Sequence, residues 1–384
     1  MPGRVSREGG GARGVAQHAL PGLDIDVVPN AHHVPDMPFG VSLLAIAQVP
    51  GLGSKALADL VLRFGGGMGL LIEADRPRAL AMLKAAKVSN AHRVADVLAS
   101  ERSDLLSAGR REFVRLRDRS IFLLGPGEIP SRLGALPDGP QWLFVQGDPA
   151  VLNHSPFVAV VGTREPSKLG VKATEAVVRT MAAYPITLVS GLANGIDAAA
   201  HRFALRDNIQ NVAFLGHGIN VIFPSETGEI REQIVAAGGA VVSEYLPDEP
   251  YRKQNFVARN RLQAGLSDIV IAADGAATGG TAHTVRFAAK YARPTVGLRF
   301  DGAGSLPTLV AEQTTGELLA IFEDAERRRL DRMFRSLCVT MGKPTNGLTL
   351  VEQLLDRELR LRDIPREDLE RLAARLARLI KEGS

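Results

Sequence analysis

One short segment of the 384-residue chain concentrates groups that suit a polyanion. Residues 253–261 read KQNFVARNR, with three cations and several amides around a single aromatic ring, just before an expected helix. Arginine and asparagine suit phosphate and sugar contacts, and an aromatic ring can stack on a base. Cations at a helix start oppose the helix dipole unless an anion offsets them. The segment therefore supplies these candidate binding residues: Lys253, Asn255, Phe256, Arg259, Asn260 and Arg261.

The same segment has a structural interpretation that the sequence leaves open. Phe256 could belong to the core, and the arginines could pair with acids such as Glu244. A second ambiguous pair is Asp197 and His201, which lie one helical turn apart and could transfer a proton or simply form a structural hydrogen bond.

Four turns rich in glycine or small polar residues follow expected strands. They are GTR at 162–164, SGLANGID at 190–197, GHG at 216–218 and ATGGTAHT at 277–284. Glycine lets a ligand approach the backbone, and helix N-termini present N–H donors to anions. We therefore expect a phosphate site at one edge of the sheet, formed by Gly162, Thr163, Arg164, Ser190, Gly191, Asn194, Gly195, Gly280 and Thr281.

The motifs of familiar enzymes are missing from the sequence. It contains no GxxxxGK[ST] phosphate loop, no GxGxxG after the first strand and no GxSxG nucleophile turn. Its histidines do not fall at metal-ligand spacing, and Cys338 is the single cysteine. We therefore predict no catalytic residue, no metal and no cofactor.

The elements that must position these residues follow from the apolar runs. Most of the runs are apolar throughout, which is typical of a parallel sheet covered on both faces. The predicted fold is α/β, a Rossmann-like doubly wound sheet. Its strands are Val158–Val161, Ile186–Ser190, Asn211–Leu215, Ala240–Ser243, Asp268–Ala273 and Pro294–Leu298, and its helices are Leu169–Ala183, Ile196–Arg206, Glu229–Ala237, Ala258–Gly265 and Thr281–Ala292.

The flanking regions are predicted to be helical. Gly51 and Gly53 separate the expected helices Val41–Ala47 and Ser54–Phe64 at helix-hairpin-helix spacing, which can bind a phosphate, although a tight interhelical turn is the simpler interpretation. Further helix is expected at Ala79–Leu98, one strand at Trp142–Val145 and a helix around Glu317–Phe334. The predicted domains are a disordered tail (1–37), a helical domain (38–112), the sheet domain (113–305), a linker (306–330) and a C-terminal helical domain (331–384).

Composition is that of an ordinary globular protein. Hydrophobic residues make up 45% of the chain and charged residues 23%, and the net charge is +4 with a pI near 9.3. No apolar run reaches the length of a membrane span, and the N-terminus lacks the apolar stretch of a signal peptide. We therefore expect a cytoplasmic protein without a membrane partner.

Several of these segments, taken in order, resemble a known family. GTR at 162–164, SGLANGIDAAAH at 190–201, SEY at 243–245 and NFVARNR at 255–261 are similar to the motifs of the DNA-processing protein A family (DprA/Smf), with LFVQGD at 143–148 preceding them. The resemblance covers about 145 to 300. It implies a Rossmann-like domain that binds single-stranded DNA without cutting it, loading of the RecA recombinase onto incoming DNA in natural transformation, and a homodimer.

The sequence departs from the family pattern at three places. Asn194 stands where the family usually has arginine, Val257 where it has proline, and Gly279-Gly280-Thr281 where it has Ser-Gly-Ser/Thr. Many members of the family end in a winged-helix domain, whereas the charged, leucine-rich C-terminus of this sequence is expected to form short helices without clear wing strands. An alternative is a nucleotide-binding enzyme or sensor that resembles nucleoside-phosphate phosphoribohydrolases, with Glu244 as its candidate catalytic residue.

Overall fold

The computed structural model describes residues 37–154, 156–314 and 316–343. The tail expected at 1–37 lies outside these residues except for Met37, as does the part of the predicted C-terminal domain beyond Lys343. Within the described ranges, no helix has the length and apolar character that crossing a membrane requires.

A single nine-stranded sheet forms the centre of the molecule, in the order β1-β2-β6-β5-β4-β3-β7-β8-β9. The strands from β6 to β9 in this order are all parallel, and β1 and β2 add an antiparallel pair beside β6. The strands are β1 (Ile121–Leu124), β2 (Leu143–Gly147), β3 (Phe157–Gly162), β4 (Thr187–Ser190), β5 (Asn211–Phe214), β6 (Ala240–Ser243), β7 (Ile269–Asp274), β8 (Thr295–Leu298) and β9 (Glu317–Leu319).

Fourteen α-helices are described, with short 3₁₀ turns at Gly65–Gly67, Pro149–Asn153 and Ser225–Thr227. The helices before the sheet are α1 (Phe39–Ile46), α2 (Ser54–Phe64), α3 (Met68–Glu73), α4 (Arg76–Ala85), α5 (Ala91–Ser100) and α6 (Arg102–Asp118). Those that connect or follow strands are α7 (Ser131–Gly134), α8 (Lys168–Met181), α9 (Ile196–Arg206), α10 (Gly228–Ala236), α11 (Lys253–Leu266), α12 (Gly280–Lys290), α13 (Leu306–Gln313) and α14 (Asp324–Thr340).

Helices cover both faces of the sheet, as the doubly wound prediction requires. Successive residues of a strand point to opposite faces, so Val158 and Val160 of β3 pack in one layer while Ala159 and Val161 pack in the other. The first layer contains α8, α9 and α14, and the second contains α7, α11 and α12. The predicted Rossmann-like fold is confirmed, and each of its six predicted strands is present within one residue of its expected bounds.

The region expected to be a connector contributes two strands rather than one. β2 matches the expected strand at Trp142–Val145, but β1 was not predicted. The run Ile121–Leu124 is only four residues long and becomes a strand by pairing with β2, from Ile121 with Gln146 to Leu124 with Leu143. Such pairing is a tertiary interaction that local sequence does not encode.

The prediction of a linker at 306–330 is wrong. These residues form α13, β9 and the first turns of α14, and β9 extends the sheet through pairing of Leu318 with Gly297. The expected helix around Glu317–Phe334 begins only at Asp324. Leu330 and Phe334 of α14 are completely buried against the sheet layer that holds α8. The sheet domain therefore continues beyond residue 305 at least to α14.

The N-terminal helices form a layer whose core continues into the sheet. Leu57, Leu60 and Leu83 share one apolar cluster with Phe144 of β2. The expected helix at Ala79–Leu98 is divided into α4 and α5 by a turn in which Lys87 has a positive φ of 57°. Helix α6 crosses the domain boundary predicted at residue 112.

The glycine hairpin between α1 and α2 makes an internal turn. Gly51 has a φ of +84°, and its carbonyl accepts a hydrogen bond of 2.9 Å from Nδ2 of Asn90. Ser54 does not cap α2, since Gly53 occupies the N-cap position; the Ser54 hydroxyl instead donates to Glu249 at 3.3 Å. The carboxylate that contacts the first residue of α2 therefore belongs to Glu249 of the same chain, not to a ligand.

Candidate functional site

The order in which the chain adds strands to the sheet reverses at β3, and a cavity lies at that point. The chain runs from β3 through β4 and β5 to β6 on one side and then crosses to β7, β8 and β9 on the other. Ligands of doubly wound sheets bind beyond the carboxyl ends of the strands at such a switch point. Here a cavity of about 380 Å³ opens between the turns after β3 and β7 and the starts of α11 and α12.

The cavity presents exposed positive groups, and the one acid in its lining, Asp197, is buried. Arg164 and Lys253 are exposed, Arg164 in the turn after β3 and Lys253 at the start of α11. Helix α12 begins at Gly280 without a side-chain cap at Gly279, and no atom lies within 4 Å of where a Cβ on Gly280 would be. Free N–H groups and the helix dipole at this end favour an anion.

Nine of the fifteen binding residues expected from sequence line this cavity. They are Gly162, Thr163, Arg164, Lys253, Phe256, Arg259, Asn260, Gly280 and Thr281. The other six lie outside its lining: Ser190, Gly191, Asn194, Gly195, Asn255 and Arg261. Ser190, for example, is completely buried, and its hydroxyl donates to the Val160 carbonyl at 2.7 Å.

Several of the glycines serve internal packing rather than ligand approach, contrary to expectation. A Cβ on Gly162 would lie 2.4 Å from the Ile196 side chain, and one on Gly191 only 1.9 Å from Nη1 of Arg259. Gly195 combines a φ of +82° with a Thr163 carbonyl 2.3 Å from the Cβ position. These glycines bring the strand ends, α9 and α11 into close contact, whereas Gly280 faces open space.

Arg259 is a buried structural cation at the base of the site. Arg259 is 2% exposed, and its Nη1 donates to the Phe214 carbonyl at 2.6 Å. Asp197 is also buried, and its Oδ2 and Nη1 of Arg259 lie 2.5 and 1.9 Å from the position that a Cβ on Gly191 would occupy. Burial lowers the pKa of Arg259 to about 10 and raises the pKa of Asp197, while the charge of each opposes the shift of the other. The two groups therefore balance each other's charge inside the protein.

Arg261 is likewise partnered, through the acid that sequence analysis named as an alternative. Its Nη1 and Nη2 donate to the two carboxylate oxygens of Glu244 at 2.6 and 2.5 Å, and Nε donates to the Asp138 carbonyl. The expectation that the 253–261 segment precedes its helix is also wrong. Helix α11 begins at Lys253, so Arg259 and Arg261 lie inside it and Lys253 is the one cation of the segment in its first turn.

Phe256 is a buried lining residue of the cavity that contacts two of its arginines. The ring is 7% exposed, with the guanidinium carbons of Arg164 and Arg259 at 5.2 and 5.4 Å from its centroid. Such cation–π contacts hold Arg164 at the mouth of the cavity. Asn260 donates from Nδ2 to the Gly280 carbonyl at 3.1 Å and so ties α11 to the start of α12.

Sequence reasoning missed Gln263 and Tyr251, which also line the cavity. Gln263 is 1% exposed, and its Nε2 has no hydrogen-bond partner within the described part of the chain. Residues four apart share a helix face, so the spacing from Arg259 to Gln263 on α11 was the available signal. A buried donor without an acceptor, beside a cavity, fits a ligand rich in acceptor oxygens.

The groups considered for catalysis have structural surroundings. His201 is completely buried, with Nδ1 2.9 Å from Oδ1 of Asn211, and burial lowers its pKa to about 4. Glu244 is held by Arg261 and does not line the cavity. Among the residues that the structure describes, no cluster of histidine, cysteine and acidic side chains could hold a metal ion.

Comparison with known proteins agrees with this architecture. The sequence is 39% identical to Protein Smf of Escherichia coli over 164 residues, which cover 43% of this chain and 44% of that protein. It is 31% identical to Protein Smf of Synechocystis over 256 residues, covering 65% of this chain and 62% of that protein. The alignments thus span about half the length of these relatives.

A solved structure resembles most of this chain. The X-ray structure of DNA processing protein A from Streptococcus pneumoniae matches 74% of this chain and 95% of that one, with a TM-score of 0.59 and 27% identity. The profile of the family described as DNA recombination-mediator protein A matches residues 120–323, which include all nine described strands and the whole cavity lining. The chain therefore belongs to the DNA recombination-mediator protein A family, that of the DprA and Smf proteins.

Proposed function

We propose that the protein binds single-stranded DNA through the cavity at the carboxyl edge of the sheet. The observation that carries this proposal is the combination of Arg164, Lys253 and the uncapped start of α12 around one opening. Phosphate oxygens would accept from these groups and from the unpartnered amide of Gln263. A single strand fits better than a duplex, because a cavity of about 380 Å³ is too small to take in a double helix.

For the biological role, we propose the activity that the family resemblance implies. The chain would load the RecA recombinase onto incoming single strands during natural transformation and would act as a homodimer. The description of the family as a recombination mediator and the name DNA processing protein DprA of the Streptococcus pneumoniae relative support this role.

We further propose that the protein is not a hydrolase of nucleotides. A phosphoribohydrolase would need a free carboxylate at the nucleotide, and the candidate Glu244 forms a bidentate ion pair instead. Multiple turnover of a nucleoside monophosphate that is lost in Glu244→Gln would favour the enzyme.

The binding test is a titration of labelled oligothymidylate and of a matched duplex by fluorescence anisotropy at several salt concentrations. Single-strand affinity falls with a slope of roughly 0.7 log unit per neutralised phosphate for each log unit of salt. The double variant Arg164→Ala, Lys253→Ala should therefore flatten the slope by about 1.4. Arg179→Ala is the matched control, because Arg179 is exposed on α8 and does not line the cavity. An unchanged slope in the double variant would refute the site.

Loading is tested separately, by following RecA filament growth on a single strand with and without the protein. The double variant should lose stimulation in proportion to its lost DNA binding. Stimulation that survives loss of binding would mean that recruitment does not pass through this cavity.

A further inference from the structure

An exposed aromatic pair borders the cavity. Phe223 is 37% exposed, and its ring centroid lies 4.2 Å from that of Tyr251 at an interplanar angle of 32°. Tyr251 itself lines the cavity, next to Phe256 at 4.9 Å. The two rings, which we call the aromatic platform, are therefore continuous with the opening that contains Arg164.

The loop that carries Phe223 is anchored by buried polar side chains. Arg231, 6% exposed, donates from Nη1 to the Val221 carbonyl at 2.9 Å and from Nη2 to the Ile219 carbonyl at 2.5 Å. His217, 1% exposed, places Nε2 2.9 Å from the Phe223 carbonyl. Burying an arginine and a histidine is costly unless both are hydrogen-bonded. Here these bonds fix the backbone beneath a side chain that remains open to solvent.

A ring held in this way is prepared for a ligand. Preorganised contact groups bind with a smaller loss of conformational entropy than mobile ones. Nucleobases stack on aromatic side chains whatever the base, because every base has a π-face. The sugar-phosphate backbone of the DNA would be bound by Arg164 and Lys253, which line the neighbouring cavity.

We propose that the aromatic platform of Phe223 and Tyr251 stacks the nucleobases of a single strand beside the nucleotide whose phosphate occupies the cavity. This inference rests on the proposed function. The platform supplies base contacts and the cavity supplies phosphate contacts, so the two contribute to affinity through separable interactions. A second copy of this chain is a poorer occupant, since two rings offer far less than the roughly 800 Å² per partner of a stable interface.

The test uses the full chain and two ligands of equal length, an oligothymidylate and a base-free deoxyribose-phosphate strand. Phe223→Ala should weaken oligothymidylate binding by about 5- to 150-fold, the range expected for one lost stacking contact. Binding of the base-free strand should change by less than about twofold, and the salt slope should stay unchanged, because no phosphate contact is removed. Phe223→Trp should retain affinity, and its indole fluorescence should be quenched by the oligothymidylate.

Phe322→Ala is the matched control, because Phe322 is 42% exposed in the groove between α8 and α14 and does not line the cavity. Equal losses on both strands, or no loss on either, would overturn the platform. So would a Phe223→Ala variant whose oligomeric state changes while its binding does not, since the rings would then join copies of the chain. Failure of the proposed function looks different: the unmodified protein would bind neither strand, or its salt slope would not depend on Arg164 and Lys253.

Discussion

Replacing Arg259 should reduce folding stability far more than it alters the DNA salt dependence. Arg259 is 2% exposed, Asp197 is 6% exposed, and both lie against the backbone at Gly191. Removing one member of a buried charge pair leaves the other uncompensated and costs about 3–5 kcal/mol. We therefore expect Arg259→Met to lower the free energy of unfolding by about that amount at pH 7. Methionine fills most of the volume of the arginine stem, so the loss reports mainly charge.

The pH dependence gives this prediction a sign. Burial already raises the pKa of Asp197, and loss of the Arg259 charge raises it further. Between the ordinary pKa of aspartate and this raised value, the folded state holds more protons than the unfolded state, so stability falls as pH rises through that window. The deficit of Arg259→Met relative to the unmodified protein should therefore shrink as pH is lowered from 7 towards 5.

Urea unfolding followed by circular dichroism at several pH values measures both effects. A double-mutant cycle with Asp197→Asn should give a coupling of about 1–3 kcal/mol, because the second change removes the uncompensated charge. Arg164→Met is the control, since Arg164 is exposed and its loss should leave stability within about 0.5 kcal/mol. A stability loss below about 1 kcal/mol in Arg259→Met, together with a salt slope flattened by about 0.7, would make Arg259 a phosphate ligand and refute the structural assignment.

Three further predictions concern packing. Gly191→Ala should destabilise the protein by about 1–3 kcal/mol in urea unfolding, because the new Cβ would overlap Arg259. The control Gly280→Ala, at an open position, should lower stability less than Gly191→Ala does. Equal losses in the two variants would contradict this prediction. Glu244→Gln should lower stability by leaving Arg261 without its carboxylate, while the salt slope of strand binding, measured by anisotropy, stays unchanged. A fragment of residues 113–305 should fail to give a cooperative thermal transition, because it lacks Leu330 and Phe334 of the core, whereas 113–343 should melt cooperatively.

Most strands of the sheet were predictable from sequence, because each is marked by a continuous run of apolar residues. Continuous apolar runs such as Val158–Val161 mark strands buried on both faces, and the alternation with helices fixes a parallel order. β1 and β9 were missed because runs of four and three residues become strands only by pairing with β2 and β8. α14 was misplaced for a similar reason, since its buried side is decided by packing against the sheet.

The sequence predicted many of the residues at the site, but not which of its cations would be exposed at the cavity and which would be paired with acids inside the protein. Sequence identified the 253–261 segment, yet a guanidinium suits a phosphate and a carboxylate equally well. Only the fold reveals that Arg261 meets Glu244 and that Arg259 is enclosed beside Asp197. Arg164 and Lys253 remain at the surface because one lies in a turn and the other in the first turn of α11. Phe223 carries no signal in sequence, since its exposure depends on a loop anchored from α10.

The two borders of the sheet bear on how copies of this chain could associate. The outer strands are β1, with four residues, and β9, with three. An outer strand can recruit another chain only through unpaired backbone groups, and such short strands offer few of them. Joining two sheets into one continuous sheet would therefore gain little hydrogen bonding. A homodimer formed through the described part of the chain would therefore use helix and loop surfaces instead.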